Sequence, residues 1–182
     1  HGMPHFENSY ATRGAPILSS RVTRDFGAKD HLSWEHLALI RRQWKRTLVV
    51  KGLMTAQDAV AAKDAGADGV IVSNHGGRQL DGTVAPLRVL PEIVAAVGPD
   101  FPVMMDSGIR RGTDVLKALA LGARMVFVGR PFQYAAAVAG EAGVRHALQI
   151  LADEVQRDLG LLGLTSLREL GSAQLRPISP RP

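Results

Sequence analysis

Four short runs of β-branched and other apolar residues stand out along the chain, and polar residues do not alternate within them. They cover residues 47–52, 69–75, 102–108 and 125–130. Unbroken apolar runs of this length are typical of strands in a parallel sheet that are buried on both faces. Each run closes in glycine or polar residues, which marks the end of the predicted strand.

Helical stretches separate these runs and follow the last of them. We predict helices at 33–44, 55–65, 85–97, 113–121, 133–139 and 144–161. Ser33 and Thr55 are suited to N-cap the first two helices, and Gly66 to end the second. The final helix has an amphipathic stripe made of Val144, Ala147, Leu148, Leu151, Ala152 and Val155. The motif G-A-x-x-V-x-V occurs at 66–72 and again at 122–128, each time joining a helix to a strand.

Strands that alternate with helices indicate right-handed βαβ units and an α/β fold with a parallel sheet. Four such units are visible, whereas a closed (β/α)8 TIM barrel needs eight and usually more than the 182 residues present here. We therefore predict half of a barrel. The β/α units occupy 33–143, a basic loop segment precedes them at 1–32, C-terminal helices follow at 144–170, and a flexible tail occupies 171–182.

The composition is that of a globular protein, with 46% hydrophobic and 21% charged residues. No apolar run reaches the roughly 18 residues that predict a transmembrane helix. The absence of cysteine excludes disulfides, thiolate nucleophiles and iron–sulfur clusters. No pair of histidines has the spacing of metal ligands, so we predict no metal.

The net charge of +5 is concentrated near the start of the chain, where residues 1–46 hold eight basic and four acidic side chains. The basic stretch Arg13–Arg24 suits an anionic membrane surface, although a solvated loop is the favoured interpretation. We predict a cytoplasmic protein, with peripheral contact at the inner face of the plasma membrane as the alternative. No nucleic-acid-binding motif is present, so no nucleic-acid partner is expected.

Candidate chemistry gathers where the predicted strands end, because active sites of β/α barrels lie at the carboxyl ends of their strands. These ends carry Lys51, Ser73–Arg78, Asp106–Gly112 and Gly129–Arg130. Nearly every strand thus closes in a basic residue, and the shared edge favours an anionic ligand.

The last two strand ends each lead through glycine and arginine into a helix, at Ser107–Arg110 and Gly129–Arg130. Backbone N–H groups at helix N-termini bind phosphate, and arginine adds bidentate contacts. Ordinary turn glycines beside surface arginines are the alternative. Because barrels frequently bind phosphate after strands seven and eight, these strands are interpreted as a barrel's strands 5–8, its C-terminal half.

The end of the second strand holds a histidine, two glycines and an arginine in close succession. His75 is suited to act as a base near neutral pH, and Arg78 to clamp a carboxylate. Lys51 is suited to stabilise negative charge on a cofactor, to form a Schiff base, or to pair with a carboxylate. Asp106 either holds a ribityl or ribose hydroxyl or orients the arginines.

The run Ser73–Asp81, with sequence SNHGGRQLD, resembles the signature of the FMN-dependent L-2-hydroxy acid dehydrogenases and oxidases, which include glycolate oxidase and the lactate and mandelate dehydrogenases. The stretches at 50–52, 106–112 and 129–130 follow in that family's order and spacing. The resemblance covers about residues 33–170. The opening His1–Pro4 and the pair Asp106-Ser107 are similar to the membrane-associated mandelate and lactate dehydrogenases.

The resemblance implies oxidation of an L-2-hydroxy acid to a 2-oxo acid, with FMN as cofactor. His75 is then the proton acceptor, Arg78 binds the substrate carboxylate, and Lys51 stabilises the anionic reduced flavin. The implied FMN-binding residues are Lys51, Ser73, Asp106, Ser107, Gly108, Ile109, Arg110, Gly129 and Arg130. A lactate- or mandelate-like substrate and a homo-oligomer, a tetramer, are also implied.

The first four strands of the family's barrel have no counterpart here. We expect an N-terminal half, on the same or a separate chain, to complete the barrel, and this chain not to fold alone. Two alternatives stay open. Other FMN barrels, such as type II isopentenyl diphosphate isomerase, share the phosphate loop but should lack the histidine–arginine motif. A non-catalytic half-barrel would bind phosphate or flavin without turnover.

Overall fold

The structure is a computed structural model that describes residues 32–176. The elements described below all belong to one compact unit that begins at Trp34. The basic stretch Arg13–Arg24, with its predicted membrane contact, lies outside the described residues, as does the second half of the predicted tail, residues 177–182. Within 32–176, no helix has the length and apolar character needed to cross a membrane.

Four strands and five helices alternate along the described chain. In order they are α1 (Trp34–Gln43), β1 (Val49–Leu53), α2 (Ala56–Asp64), β2 (Gly69–Val72), α3 (Pro86–Val97), β3 (Val103–Met105), α4 (Gly112–Ala120), β4 (Met125–Val126) and α5 (Arg130–Leu161). Short 3₁₀ turns cover His75–Gly77, Leu167–Glu169 and Ser172–Gln174. The last of these turns lies inside the segment predicted as a tail.

The strands are parallel and lie in the sheet in their chain order, β1-β2-β3-β4. Each consecutive pair is joined by a helix, as right-handed βαβ units require. The predicted fold, half of a (β/α)8 barrel, is confirmed. Because the strands are parallel, their carboxyl ends share one edge of the sheet, where the sequence predicts the active site.

Local signals set the element boundaries. The Thr55 hydroxyl accepts a hydrogen bond from the backbone N–H of Asp58 and N-caps α2, as predicted. β2 stops at Val72 instead of 75 because Ser73 and His75 turn the chain out of the sheet. The two helices predicted at 133–139 and 144–161 are one kinked element, α5, whose kink lies at Ala139 and Gly140.

One face of the sheet is packed against helices. Val70, Val72, Val103 and Met105 point to this face and are buried. They share a core with small and branched side chains of α2, α3 and α4, including Ala59, Ala62, Leu90, Ile93, Val97, Val115 and Ala118. The core therefore sits between the sheet and its helices.

The opposite face is more open. Lys51, Ile71, Met104 and Met125 are register partners across the four strands, so they form one row on this face. Met125 is 53% exposed. Val49, two residues before Lys51 on the same face of β1, is 36% exposed. The prediction of strands buried on both faces is therefore wrong for β1 and β4, because no described element covers this face at those strands.

The start of α4 packs against α5 so closely that only glycine fits at position 112. A Cβ there would lie 2.6 Å from the backbone nitrogen of Val155 and 2.6 Å from the Cβ of Glu154. We expect Gly112→Ala to lower the free energy of unfolding by about 1–3 kcal/mol, because the helix backbones must separate. Urea unfolding of the chain together with the half that completes its barrel, monitored by circular dichroism, measures this change.

Gly160 is the matched control for that substitution. It lies in α5, the helix that Gly112 approaches, and a Cβ at this position would meet no atom within 4 Å. Gly160→Ala should leave stability unchanged or raise it slightly, since alanine is the better helix former. Equal tolerance of the two substitutions would contradict the close approach of α4 and α5.

Candidate active site

The strand-end segments meet around one cavity of about 320 Å³. This is the lower part of the size range of small-molecule sites. The cavity is lined by Lys51, His75, Gly76, Arg78, Asp106, Ser107, Gly108, Ile109, Arg110, Phe127, Val128, Gly129, Arg130, Pro131 and Gln133. Every predicted site residue except Ser73 belongs to this lining, and the Ser73 hydroxyl contacts one of the lining side chains, that of Lys51.

An ion pair spans the floor of the cavity from β1 to the end of β3. Lys51 Nζ lies 2.9 Å from Asp106 Oδ2, and it also donates a 2.9 Å hydrogen bond to Ser73 Oγ. The lysine side chain is 44% exposed and the aspartate 19%. Of the three alternatives that the sequence leaves open for Lys51, the structure therefore shows the pairing with a carboxylate.

Two opposing influences act on the Asp106 carboxyl. Burial favours its neutral form, whereas hydrogen bonds from Ser73, Lys51 and Ser107, together with the Lys51 charge, favour the carboxylate. The second influence is larger, so the pKa of Asp106 lies below its ordinary value. Asp106 is therefore a permanent anion near neutral pH and not a general acid.

This lowered pKa predicts how acid acts on the protein. An aspartate whose pKa is lower in the folded than in the unfolded state stabilises the fold fully above the unfolded value of about 3.9. That contribution is lost as the pH falls through the folded pKa. The difference in urea unfolding midpoint between the parent and Asp106→Asn should therefore shrink as the pH falls from about 6 to 3. A difference that grows on acidification would contradict the ionised state of Asp106.

The turn after β2 is left-handed at three consecutive residues. His75 has φ 56°, Gly76 has φ 67° and Gly77 has φ 73°. The positive φ of Gly76 favours glycine, and a Cβ there would lie 2.8 Å from a guanidinium nitrogen of Arg130 and would displace the end of that side chain. The turn leaves His75 exposed and lining the cavity.

The segment after β3 runs alongside this turn. Ser107 Oγ donates a 2.7 Å hydrogen bond to Asp106 Oδ1 and accepts one of 2.9 Å from the backbone N–H of Gly76. Gly108 follows with φ 82°, and a Cβ at Gly108 or Gly129 would meet no atom within 4 Å. Backbone at both glycines is therefore open to a ligand, while Ile109 is buried in the core and anchors the segment.

Cationic side chains dominate the cavity. Four of them, Lys51, Arg78, Arg110 and Arg130, line it together with a single carboxylate, that of Asp106. Arg130 opens α5 and donates a 2.9 Å hydrogen bond to the carbonyl oxygen of Gly76. Among residues 32–176, neither Arg78 nor Arg110 has a side-chain ion pair. The cavity thus carries a surplus of positive charge suited to an anion.

Some residues of the site were not predicted from the sequence. Phe127 and Gln133 line the cavity but were not among the predicted site residues. The position of Phe127 shortly before Gly129, at the carboxyl end of the β4 run, is the signal that would have found it. Glu154 lies far along the chain in α5, yet its carboxylate contacts Arg111 Nε at 2.8 Å and the backbone N–H of Gly112 at 2.7 Å.

Fold and site together define half of a β/α barrel whose strand ends build a basic, phosphate-suited cavity. Comparison with known proteins gives the family. Residues 4–177 match the family described as FMN-dependent dehydrogenase. The chain belongs to the FMN-dependent dehydrogenase family, as the resemblance of its motifs predicted.

Individual relatives agree with this assignment. The chain is 47% identical to 4-hydroxymandelate oxidase of Amycolatopsis orientalis over 86% of its own length and 43% of that protein. It is 46% identical to L-lactate dehydrogenase of Caulobacter vibrioides, over 82% of this chain and 39% of that one. Among solved structures, a soluble mutant of the membrane-associated (S)-mandelate dehydrogenase of Pseudomonas putida matches with a TM-score of 0.77 and 46% identity, covering 79% of this chain and 41% of the other. The chain spans less than half the length of each of these relatives.

Proposed function

We propose that this chain is the FMN-binding and catalytic half of an enzyme that oxidises an L-2-hydroxy acid, lactate- or mandelate-like, to the 2-oxo acid. The observation that carries the proposal is the convergence of Lys51, His75, Arg78, Asp106 and Arg130 on one cavity at the carboxyl edge of the sheet. A catalytic base, a carboxylate clamp and an anion-binding cradle are the parts such a reaction needs. Family membership supports the choice of cofactor.

The residues of the cavity fit FMN. The open backbone at Gly108 and Gly129, with the guanidinium groups of Arg110 and Arg130, suits a phosphate at the start of α5. The Asp106 carboxylate accepts hydrogen bonds and suits the hydroxyl groups of a ribityl chain. The exposed part of the Lys51 ammonium faces the cavity and suits negative charge on a flavin ring. When bound, FMN supplies the acceptor for the two electrons that leave the substrate.

Arg78 and His75 divide the work on the substrate. Arg78 binds the carboxylate of the 2-hydroxy acid, because its guanidinium lines the cavity and has no ion-pair partner among residues 32–176. His75 takes a proton from the substrate as its alcohol carbon becomes a carbonyl. The left-handed turn holds the imidazole at the cavity, three residues before the arginine. Binding of the carboxylate by Arg78 thus orients the substrate beside the base.

A second half of the barrel is part of the proposal. The row Lys51, Ile71, Met104 and Met125 faces away from the helices, and Met125 is left 53% exposed. Relatives about twice as long contain the additional length that four further β/α units require. We propose that the second half covers the open face of the sheet. The active form is then the assembled enzyme, meaning this chain together with the second half. The predicted homo-oligomer and membrane contact remain predictions.

The proposed function is tested by titrating the assembled enzyme with FMN and then mixing it anaerobically with L-lactate or L-mandelate. We expect saturable FMN binding, followed by loss of the visible flavin absorbance with one 2-oxo acid formed per flavin. FMN binding without any reduction would instead support the non-catalytic alternative. No FMN binding at all would refute the assignment of the cavity.

A further inference from the structure

We propose that the hydroxyl group of Ser107 is a positioning group for the catalytic base, holding His75 in its left-handed conformation from a neighbouring strand end. The inference rests on the proposed function, in which His75 accepts the proton. It adds a residue that acts through the backbone of another residue and that need not touch the substrate.

The two peptide groups on either side of His75 each donate to a serine hydroxyl. The N–H of His75 donates to Ser73 Oγ at 3.1 Å, and the N–H of Gly76 donates to Ser107 Oγ at 2.9 Å. On the far side of Gly76, the carbonyl oxygen accepts a bond of 2.9 Å from Arg130. The backbone conformation at His75 is therefore held by groups from the ends of three different strands.

These serines are themselves held by the ion pair beneath them. Ser73 Oγ accepts from Lys51 Nζ, Ser107 Oγ donates to Asp106 Oδ1, and Lys51 pairs with Asp106. The contacts close a ring that runs from the ion pair through both serines to the backbone around His75. A continuous network of hydrogen bonds thus links the backbone of His75 to Lys51, the lysine proposed to face the flavin.

The backbone of Ser107 indicates that its hydroxyl is needed. Its φ is 73°, a conformation that glycine adopts freely and other residues adopt at an energetic cost. Outside the turn at His75, Ser107 is the one non-glycine residue with a positive φ among residues 32–176. Glycine at this position would relieve the strain but remove both hydrogen bonds. Serine at this position therefore has a strained backbone, and its hydroxyl makes hydrogen bonds to Gly76 and Asp106 that glycine could not make.

The substitutions Ser107→Gly and Ser107→Ala separate these two effects in the assembled enzyme. Both remove the hydroxyl, but only alanine keeps the strain, so the glycine variant should melt at the higher temperature of the two. We expect both to slow flavin reduction at saturating L-mandelate or L-lactate by about tenfold, because a hydrogen bond that orients the base is lost. The dissociation constant of the substrate, set by Arg78, should change less than twofold.

Ser166→Ala is the matched control. It removes a serine hydroxyl that accepts a 3.2 Å bond from the backbone N–H of Arg168, outside the lining of the cavity, and should leave the reduction rate unchanged. The inference is overturned if Ser107→Gly reduces the flavin at the parent's rate, or if the rates of the two variants follow their melting temperatures. If either result occurs while the parent is reduced and His75→Gln is not, this inference fails alone and the proposed function stands. A parent that no 2-hydroxy acid reduces overturns the proposed function as well.

Discussion

Replacement of His75 by glutamine is expected to slow reduction of the bound flavin by about 10² to 10⁴-fold, the usual contribution of a general base. Glutamine keeps a polar side chain of similar reach but cannot accept the substrate proton at neutral pH. FMN affinity should stay within a few-fold of the parent, because the phosphate and ribityl contacts are assigned to the segments after β3 and β4. Anaerobic stopped-flow absorbance gives the rate, and a fluorescence titration gives the affinity.

His146→Gln is the control for this experiment. His146 lies on the exposed surface of α5, outside the lining of the cavity, and its replacement should leave the rate unchanged. Reduction of the His75 variant at the parent's rate would show that another group takes the proton. Loss of FMN from the His75 variant would show instead that the turn supports the cofactor site directly.

A negative charge on the open face of the sheet should prevent assembly of the active enzyme. Met125 is 53% exposed in this chain, so the glutamate of Met125→Glu would reach solvent as long as the second half does not cover it. Once the second half covers the row shared with Ile71 and Met104, the same carboxylate is buried without a partner at a cost of several kcal/mol. We expect the variant to lose co-purification with the second half and to retain no FMN.

The control for this prediction is Leu148→Glu, which introduces the same charge at an equally exposed leucine, 52% exposed, on α5. It lies on the helical layer and should leave the assembly of the two halves and its FMN content intact. Equal assembly of both variants would contradict the covering of the open face. Equal failure of both would show that the charge acts on folding in general.

Much of the fold could be predicted from local patterns in the sequence. The apolar runs located all four strands, and the Thr55 cap and the Gly66 stop located α2 to within a residue at each end. These predictions succeed because caps, breakers and unbroken apolar runs act over a few residues. The cavity was predicted in the same way, since topology brings the carboxyl ends of parallel strands to one edge.

The side-chain contacts within the site join residues that are distant in the sequence, so they could not be predicted from local patterns. Lys51 was left with three alternatives, and its pairing with Asp106 became clear only because β2 brings β1 and β3 within side-chain reach. The left-handed backbone of Ser107 has no sequence signal, since serine is a poor predictor of positive φ. The prediction that all strands are buried on both faces was wrong for β1 and β4. An apolar run indicates a strand but does not show which element covers each of its faces.

If this chain carries the base, the carboxylate clamp and the flavin site of a 2-hydroxy acid-oxidising barrel, substrate alone must reduce the flavin. Anaerobic mixing of the FMN-loaded assembled enzyme with a panel of L-2-hydroxy acids, followed by visible absorbance, measures that reduction. We predict rapid bleaching of the flavin by at least one lactate- or mandelate-like acid, with one equivalent of 2-oxo acid formed. A flavin that stays oxidised with every acid of the panel would contradict the assignment.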